Sequence, residues 1–398
     1  MYNIIARIYQ TIIKIVNRLL PWKIPEVIKG EGSVKKLPSV IKKEGLNNVL
    51  VVSDKGITEI GLMDDFLERL ESEQINYTIF NDVTPNPTIE NVESGYKIYL
   101  KNDCQGIVAF GGGSPMDCGK IIAARVARPR RKVPAMKGLL KVRRRIAPFF
   151  AVPTTAGTGS EATVIGVITN KQTNEKYDIS DLSLIPHYAV LDPALTVGLP
   201  PHLTAETGID ALTHAIEAYI GRSNTEETER YAKKAVKLVF ENIYTAYSDG
   251  TNIKARENML HGSFYAGLAF TRAFVGYVHA MAHTVSGFYS TGHGHAISVI
   301  LPYVLEYYGE AVHKPLSELA DVVGIKGATE KEQSDRFIQA IRDLNASMNI
   351  PKMLDFIRDE DIPIMIERAL DEANPRYPVP KILKYDDIEK LFYQVKGL

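Results

Sequence analysis

Only two cysteines occur in the 398 residues, Cys104 and Cys118, and no CxxC pair is present. That excludes a disulfide framework and fits a reducing cytosol, so a cytoplasmic protein with two buried thiols is expected. There is no excess of charge either: lysine plus arginine and aspartate plus glutamate number 47 each. A chain without net charge has no field to recruit nucleic acid, and no nucleic-acid partner is expected. No stretch approaches the roughly 18 uninterrupted apolar residues of a spanning helix. Residues 1–20 are apolar-rich but carry Arg7, Lys14 and Arg18, and no small-residue cleavage site follows, so a signal peptide is not expected. Low-complexity tracts and internal repeats are missing as well.

What is present reads as two lobes, since the chain is two to three times the length of a typical domain. From residue 47, short β-branched runs alternate with helical patterns. "NVLVVSD" (48–54), "NYTIF" (76–80), "GIVAFGGG" (106–113), "PFFAVPTT" (148–155) and "HYAVLDP" (187–193) predict strands, most of them apolar throughout, as in a parallel sheet covered on both faces. Helical patterns near 59–73, 89–101 and 116–127 lie between them, giving a βαβ series of the nucleotide-binding type. From Leu203 onward the periodicity is almost entirely 3.6 residues, through 203–221, 225–247, 253–270, 273–288, 297–323 and 333–346. The expected organisation is an N-terminal extension over 1–25, a dinucleotide-binding α/β domain with a Rossmann-like parallel sheet over 26–199, and an all-helical domain over 200–398.

Three stretches of the first lobe suit a nucleotide. "AFGGGSPMDCGK" (109–120) runs an apolar strand into three glycines and a helix-opening proline. Glycines let the backbone approach a pyrophosphate, whose charge is favoured by the N–H groups of a helix start. Asp54 ends the first strand, where a carboxylate can accept from a ribose hydroxyl and repel a 2′-phosphate, which favours NAD over NADP. "VPTTAGTGSEAT" (152–163) packs hydroxyls and glycines directly after a buried strand. Asp54 alone is better explained as a turn aspartate, whereas the fused glycine triplet with its proline, and the position of 152–163 directly after a buried strand, favour a cofactor over a simple loop.

The second lobe holds the sharper signal. In "GIDALTHAIEAYIGRS" (208–223), Asp210 and His214 share one helix face at i and i+4. Downstream, "GYVHAMAHTVSGFYSTGHGHA" supplies His279, His283, His293 and His295, four of the nine histidines. Any single histidine is best explained by a core or surface role. A carboxylate with several imidazoles, however, is a mixed hard and borderline donor set that suits Fe2+ or Zn2+ and leaves room for a substrate oxygen. Spacing does not say which three histidines bind.

Taken together, "GGGSPMD", "PTTAGTGSE", "DALTHAIEAY" and "HAMAHTVSGFY…HG" stand in the order and spacing of the iron-dependent, or group III, alcohol dehydrogenases, which the chain resembles over roughly residues 26–325. The resemblance implies a dehydroquinate synthase-like architecture, a Rossmann-like lobe followed by a helical metal-binding lobe, commonly as a homodimer. It implies Asp210, His214, His279 and His293 as metal ligands, with Fe2+ first and Zn2+ the alternative. His283 is implied beside the metal as the catalytic proton carrier. For NAD(H), it implies Asp54 at the adenosine ribose, Asn86 near the nucleotide, Gly112, Gly113 and Ser114 at the pyrophosphate, and Asp117 as a further cofactor-binding residue. Thr154, Thr155, Thr158, Thr163 and Lys176 match further cofactor-contacting positions. Two departures stand out: Gly292 replaces the usual proline before the last ligand, and His295 adds an imidazole that could exchange with it.

The expected activity is hydride transfer between NAD(H) and a small primary alcohol or diol or its aldehyde. A lyase or cyclase of the dehydroquinate synthase type and a glycerol dehydrogenase-like polyol oxidoreductase are the alternatives. A non-catalytic anchoring protein on the same scaffold would have lost metal ligands, and all four are present. Two additions lie outside the shared pattern. On a helical wheel, residues 2–20 gather Ile4, Ile5, Ile8, Ile12, Ile15, Val16, Leu19 and Leu20 on one half and Arg7, Lys14 and Arg18 on the other. Residues 125–145 hold ten basic residues and no acidic one. The apolar half of the helix is expected to pack on the protein's own body or on a second subunit. The competing expectation is a peripheral contact of residues 1–23 and 125–145 with an anionic membrane or an acidic partner.

Overall fold

The structure, a computed structural model, describes residues 2–173, 175–289 and 291–398. It falls into two compact units, one of residues 21–199 with 251–260 and one of residues 1–20, 200–250 and 261–398.

In the first unit a six-stranded parallel sheet runs in the order β1-β9-β6-β4-β2-β3. Its strands are β1 (Glu26–Lys29), β2 (Asn48–Val52), β3 (Asn76–Phe80), β4 (Gly106–Gly111), β6 (Phe149–Pro153) and β9 (Tyr188–Leu191). Strand alternation splits the apolar runs between two cores. Leu50, Val52, Ile107, Ala109, Phe149 and Ala151 enter one, while Val49, Val51, Val108, Phe110, Phe150 and Val152 enter the other. Both faces of the central strands are covered, which is why β4 and β6 are apolar throughout, whereas the edge strands β1 and β3 carry Glu26, Lys29, Asn76 and Thr78. The accompanying helices are α2 (Leu37–Lys43), α3 (Lys55–Glu59), α4 (Asp64–Ser72), α5 (Ile89–Lys101) and α6 (Gly113–Ala127). A second sheet of β5 (Gly138–Leu139), β8 (Glu175–Ser180) and β7 (Ile165–Asn170) joins a parallel and an antiparallel pair.

The other unit is helical. It contains α1 (Tyr2–Leu19), α7 (Pro201–Ile220), α8 (Glu226–Ser248), the second half of α9 (Ile253–Ala273), α10 (Tyr277–Tyr289), α11 (His293–Tyr308), α12 (His313–Val322), α13 (Glu330–Ser347), α14 (Ile362–Ala373) and α15 (Tyr385–Lys396). From Gly208 to Ile220 every residue of α7 is buried, and α7 packs on α8 and α11 while α10 packs on α11 and α14. No helix among the described residues is long and apolar enough to cross a membrane.

One expectation is corrected here: α1 does not turn its apolar half onto the protein's body. Its polar side docks instead. Arg7 donates to the carbonyls of Val379 and Pro380 at 2.7 and 2.8 Å, and Gln10 to those of Tyr377 and Pro375 at 2.7 and 3.2 Å. Lys14 donates to the carbonyl of Arg222 at 2.7 Å and Asn17 to that of Arg272. Arg222 follows the end of α7 and Arg272 lies in the last turn of α9, where backbone carbonyls lack helical partners and the helix dipole favours cations. Those orphan acceptors outcompete apolar contact for this face.

Candidate active site

Asp210 sits at the centre of the histidine group on α7. From its Oδ1, His279 Nε2 lies at 3.5 Å, His214 Nδ1 at 3.6 Å and His293 Nε2 at 3.8 Å. Asp210, His279 and His293 offer donor atoms that all lie within 4.8 Å of one another. His214 stands just outside that trio, its ring stacked on Phe270 with centroids 4.1 Å apart and 4.3 Å from the His279 ring. Three of the four expected ligands therefore converge directly, and the fourth borders them.

The donor set suits a divalent cation. Asp210 Oδ1 and His279 Nε2 are both buried with no hydrogen-bond partner, a state that costs about 1–3 kcal/mol per group unless something bridges them. Bonds of about 2.1 Å at tetrahedral angles put ligand atoms about 3.4 Å apart, close to the 3.5–3.8 Å separations of the three imidazole nitrogens from Asp210 Oδ1. Burial raises the Asp210 pKa, but the imidazoles of His214, His279 and His293 more than offset this and hold it well below the usual carboxylate range. Burial lowers that of His279, yet Asp210 and Glu217 override the effect and lift it to about 9.

Glu217, two turns after Asp210 on α7, was not singled out from the sequence. It is 3% exposed and takes His279 Nδ1 at 2.6 Å, the Gly276 N–H at 2.8 Å and the Val278 N–H at 2.9 Å. It thus caps the start of α10 and fixes the His279 ring, with Nδ1–H donating and Nε2 left toward Asp210. A Cβ on Gly276 would lie 2.7 Å from Glu217 Oε1, so the close approach requires glycine. The clue in the sequence was a glutamate seven residues after Asp210 within an apolar helix.

His283, one turn beyond His279 on α10, is held differently. Its Nδ1 lies 2.7 Å from Glu372 Oε1 at the end of α14, and that oxygen also accepts from the Tyr377 hydroxyl at 2.8 Å. Its ring stacks on His293 with centroids 4.9 Å apart. Neither Glu372 nor Tyr377 lay in a recognisable motif. His295 pairs with Glu206 at 3.3 Å rather than joining the Asp210 group.

The nucleotide candidates lie in the α/β unit. Gly112 caps α6 and Gly113, Ser114 and Asp117 occupy its first turns. A Cβ on Gly113 would meet Thr158 Cγ2 at 2.7 Å and one on Gly112 would meet Thr155 at 3.4 Å, so the two separate loops share one cradle. Thr154 is buried, its N–H bonded to the Gly111 carbonyl at 3.0 Å. Lys176 Nζ donates to Asn86 Oδ1 at 3.0 Å, joining two candidates ninety residues apart. Asp54 caps α3, accepting from Ile57 N–H at 3.0 Å. Thr163 is turned to another task. Its carbonyl and hydroxyl oxygens each accept from the fully buried Lys120 Nζ at 2.9 Å, with the Ser160 carbonyl at 2.6 Å and the Ile165 carbonyl at 2.9 Å completing the shell.

A parallel α/β sheet followed by a helical unit carrying an Asp–His cation site defines a class of metal-dependent, nucleotide-binding protein. Residues 25–193 match the family described as iron-containing alcohol dehydrogenase, and residues 204–395 match the C-terminal part of the Fe-containing alcohol dehydrogenase family. Alcohol dehydrogenase 4 of Saccharomyces cerevisiae is 38% identical over 346 residues, covering 86% of this chain and 90% of the relative. The 1,3-propanediol dehydrogenase of Citrobacter freundii is 37% identical over 384 residues, 95% of this chain and 99% of its own. The crystal structure of sulfoacetaldehyde reductase from Bifidobacterium kashiwanohense in complex with NAD+ superposes with a TM-score of 0.83 at 28% identity, covering 95% of this chain and 99% of that one. The chain belongs to the iron-containing alcohol dehydrogenase family.

Proposed function

We propose that the protein is a metal-dependent, NAD(H)-linked oxidoreductase that interconverts a small primary alcohol or diol with its aldehyde. The observation that carries this reading is the converging trio of buried Asp210, buried His279 and half-buried His293, with His279 braced by Glu217. Asp210, His214, His279 and His293 would hold the ion, Fe2+ or Zn2+, in a chain whose relatives include a yeast alcohol dehydrogenase and a propanediol dehydrogenase. When bound, the metal supplies Lewis acidity toward the substrate oxygen and NAD supplies the hydride acceptor.

The chain's own residues set the rest. Glu217 keeps the His279 imidazole in one tautomer and orientation. Glu372 does the same for His283, taking Nδ1–H and leaving Nε2 able to accept and return the hydroxyl proton. Gly112, Gly113, Ser114 and Asp117, with Thr154, Thr155 and Thr158, form or support the cradle for the pyrophosphate, near the Asn86–Lys176 pair, while Thr163 holds Lys120. Asp54 favours a free ribose hydroxyl over a 2′-phosphate. A cytoplasmic homodimer belongs to the same reading, supported on the first count by two free, buried thiols.

The test is metal analysis of anaerobically purified protein, paired with NADH oxidation by a panel of short aldehydes. Stoichiometric iron or zinc with turnover that falls on chelation is expected. Metal-loaded protein that turns over no aldehyde or alcohol overturns the reading.

A further inference from the structure

The docking of α1 leaves a surface that the oxidoreductase reading does not use. Its inward arc consists of Ala6, Arg7, Gln10, Lys14 and Asn17, with Ala6 and Gln10 almost fully buried. On the opposite arc, about 120° wide, stand Ile4, Ile5, Ile8, Ile12, Ile15, Val16 and Leu19. Five isoleucines there are 55–67% exposed, Val16 is 47% and Leu19 80% exposed. No polar or charged residue interrupts this arc over the helix's five turns. The family match begins at residue 25, so α1 lies before the shared pattern.

Charge says what covers the stripe. Residues 1–25 hold Arg7, Lys14, Arg18 and Lys23 and no carboxylate. Arg18 is exposed at the border of the stripe, and Arg18 and Arg222 both lie close enough to Lys14 for their charges to oppose its own, with Glu229 the carboxylate that offsets them. Beside the N-terminal half of α1, a groove is lined by Arg7, Lys381 and Lys384, with Asp387 the one carboxylate. Pairing this stripe with a second copy of itself would bring two cationic borders together. A layer of apolar chains beneath anionic headgroups complements both features at once, the stripe entering the acyl boundary and the border facing phosphate.

We propose that α1 is an interfacial anchor that seats the protein on an anionic lipid surface through Ile4, Ile8, Ile12, Ile15 and Leu19. The polar inward arc ties the anchor to the 375–380 segment and to the ends of α7 and α9, so the helix is displayed ready-formed rather than folding on contact. This inference does not depend on the reading of the active site.

Sedimentation of the full-length protein with phosphatidylglycerol–phosphatidylcholine vesicles and with pure phosphatidylcholine vesicles tests it. A double substitution on the outward arc, Ile8→Glu with Ile12→Glu, is compared alongside, and the lipid-free mass of both proteins is measured by light scattering. The expected result is at least about tenfold stronger binding to the anionic vesicles, weakened by salt. That binding should disappear in the double variant, with its thermal unfolding and lipid-free mass unchanged. Failure of the unmodified protein to bind anionic vesicles overturns the proposal. So does a double variant that halves the lipid-free mass, which assigns the stripe to a second copy.

Discussion

Glu217 Oε2 lies 2.6 Å from His279 Nδ1, and the same carboxylate takes the N–H groups of Gly276 and Val278. One side chain therefore starts a helix and aims the imidazole that faces Asp210. Replacing it by glutamine keeps the volume but removes the charge that holds His279 with Nδ1 protonated. Glu217→Gln is expected to weaken metal affinity by about 10–100-fold while leaving most of the fold's stability. Glu217→Ala should add a loss of about 1–3 kcal/mol because buried donors at the start of α10 lose their acceptor. Chelator competition and thermal unfolding measure the two effects. Unchanged metal affinity in Glu217→Gln would show that Glu217 is a cap and nothing more.

The two histidines on α10 should behave differently although they are one turn apart. His279 and Asp210 face each other without hydrogen-bond partners for the facing atoms, so Asp210→Ala or His279→Ala should empty the site and abolish turnover. His283 is tied to Glu372 outside the trio, so His283→Ala should keep the metal and lower kcat by about 100-fold or more. Glu372→Gln should follow His283→Ala in direction with a smaller loss, because the ring keeps a neutral acceptor. If His283→Ala loses metal as fully as His279→Ala does, the division of roles is wrong.

The sequence made the site's periodic parts legible and hid the parts that rest on long-range acceptors. Asp210 and His214 declare themselves because i and i+4 share a helix face, and the strands 48–52 and 76–80 because each is a β-branched or aromatic run bounded by turns. The β7–β8 hairpin is harder to read because Gly166 interrupts the β-branched run of β7 and a polar stretch from Thr169 to Lys176 follows it. Helices α14 and α15 lie beyond the last clear helical periodicity at 333–346, and Glu372 lies in α14. Lys120 closes the glycine-rich motif with nothing in its local pattern to mark it, and only the fold surrounds it with four oxygen acceptors. For α1 the amphipathic pattern was plain but its orientation was not. Which half faces inward depends on the carbonyls of Arg222, Arg272 and residues 375–380, which no local pattern reveals.

Lys120 supplies a signed dependence on pH. Burial lowers its pKa, with Asp117 and Glu161 only partly restoring it, to about 8 against an ordinary 10.5. Between these values the unfolded chain binds more protons than the folded one, so stability rises with pH across that window and falls as pH drops through about 8. The swing is on the order of 3 kcal/mol at full extent. Lys120→Met removes it and leaves the carbonyls of Ser160, Thr163 and Ile165 without their donor. Urea unfolding between pH 7.5 and 10, in steps of about half a unit, reads the slope directly. The unmodified protein should gain on the variant as pH rises, and parallel curves would remove Lys120 as the source.

Asp54 tests the choice of dinucleotide. Its side chain caps α3 through Ile57 at 3.0 Å, at the carboxyl end of β2 in the parallel sheet. There a carboxylate can accept from a ribose 2′-hydroxyl but repels a 2′-phosphate, for which it has no proton to donate. The unmodified protein should therefore use NAD with the higher kcat/KM, and Asp54→Gly should narrow the NAD-to-NADP ratio by about tenfold or more, as expected for losing a charged hydrogen bond worth about 1.5–3 kcal/mol. Glycine is tolerated at an N-cap with a loss of only a few tenths of a kcal/mol, so the fold survives and the ratio reports on recognition. The change should come both from weaker use of NAD and from relief of repulsion toward NADP. Steady-state kinetics with NAD and NADP at saturating alcohol separates these two contributions. Equal efficiency with the two dinucleotides before any substitution would mean that Asp54 serves only as the cap of α3.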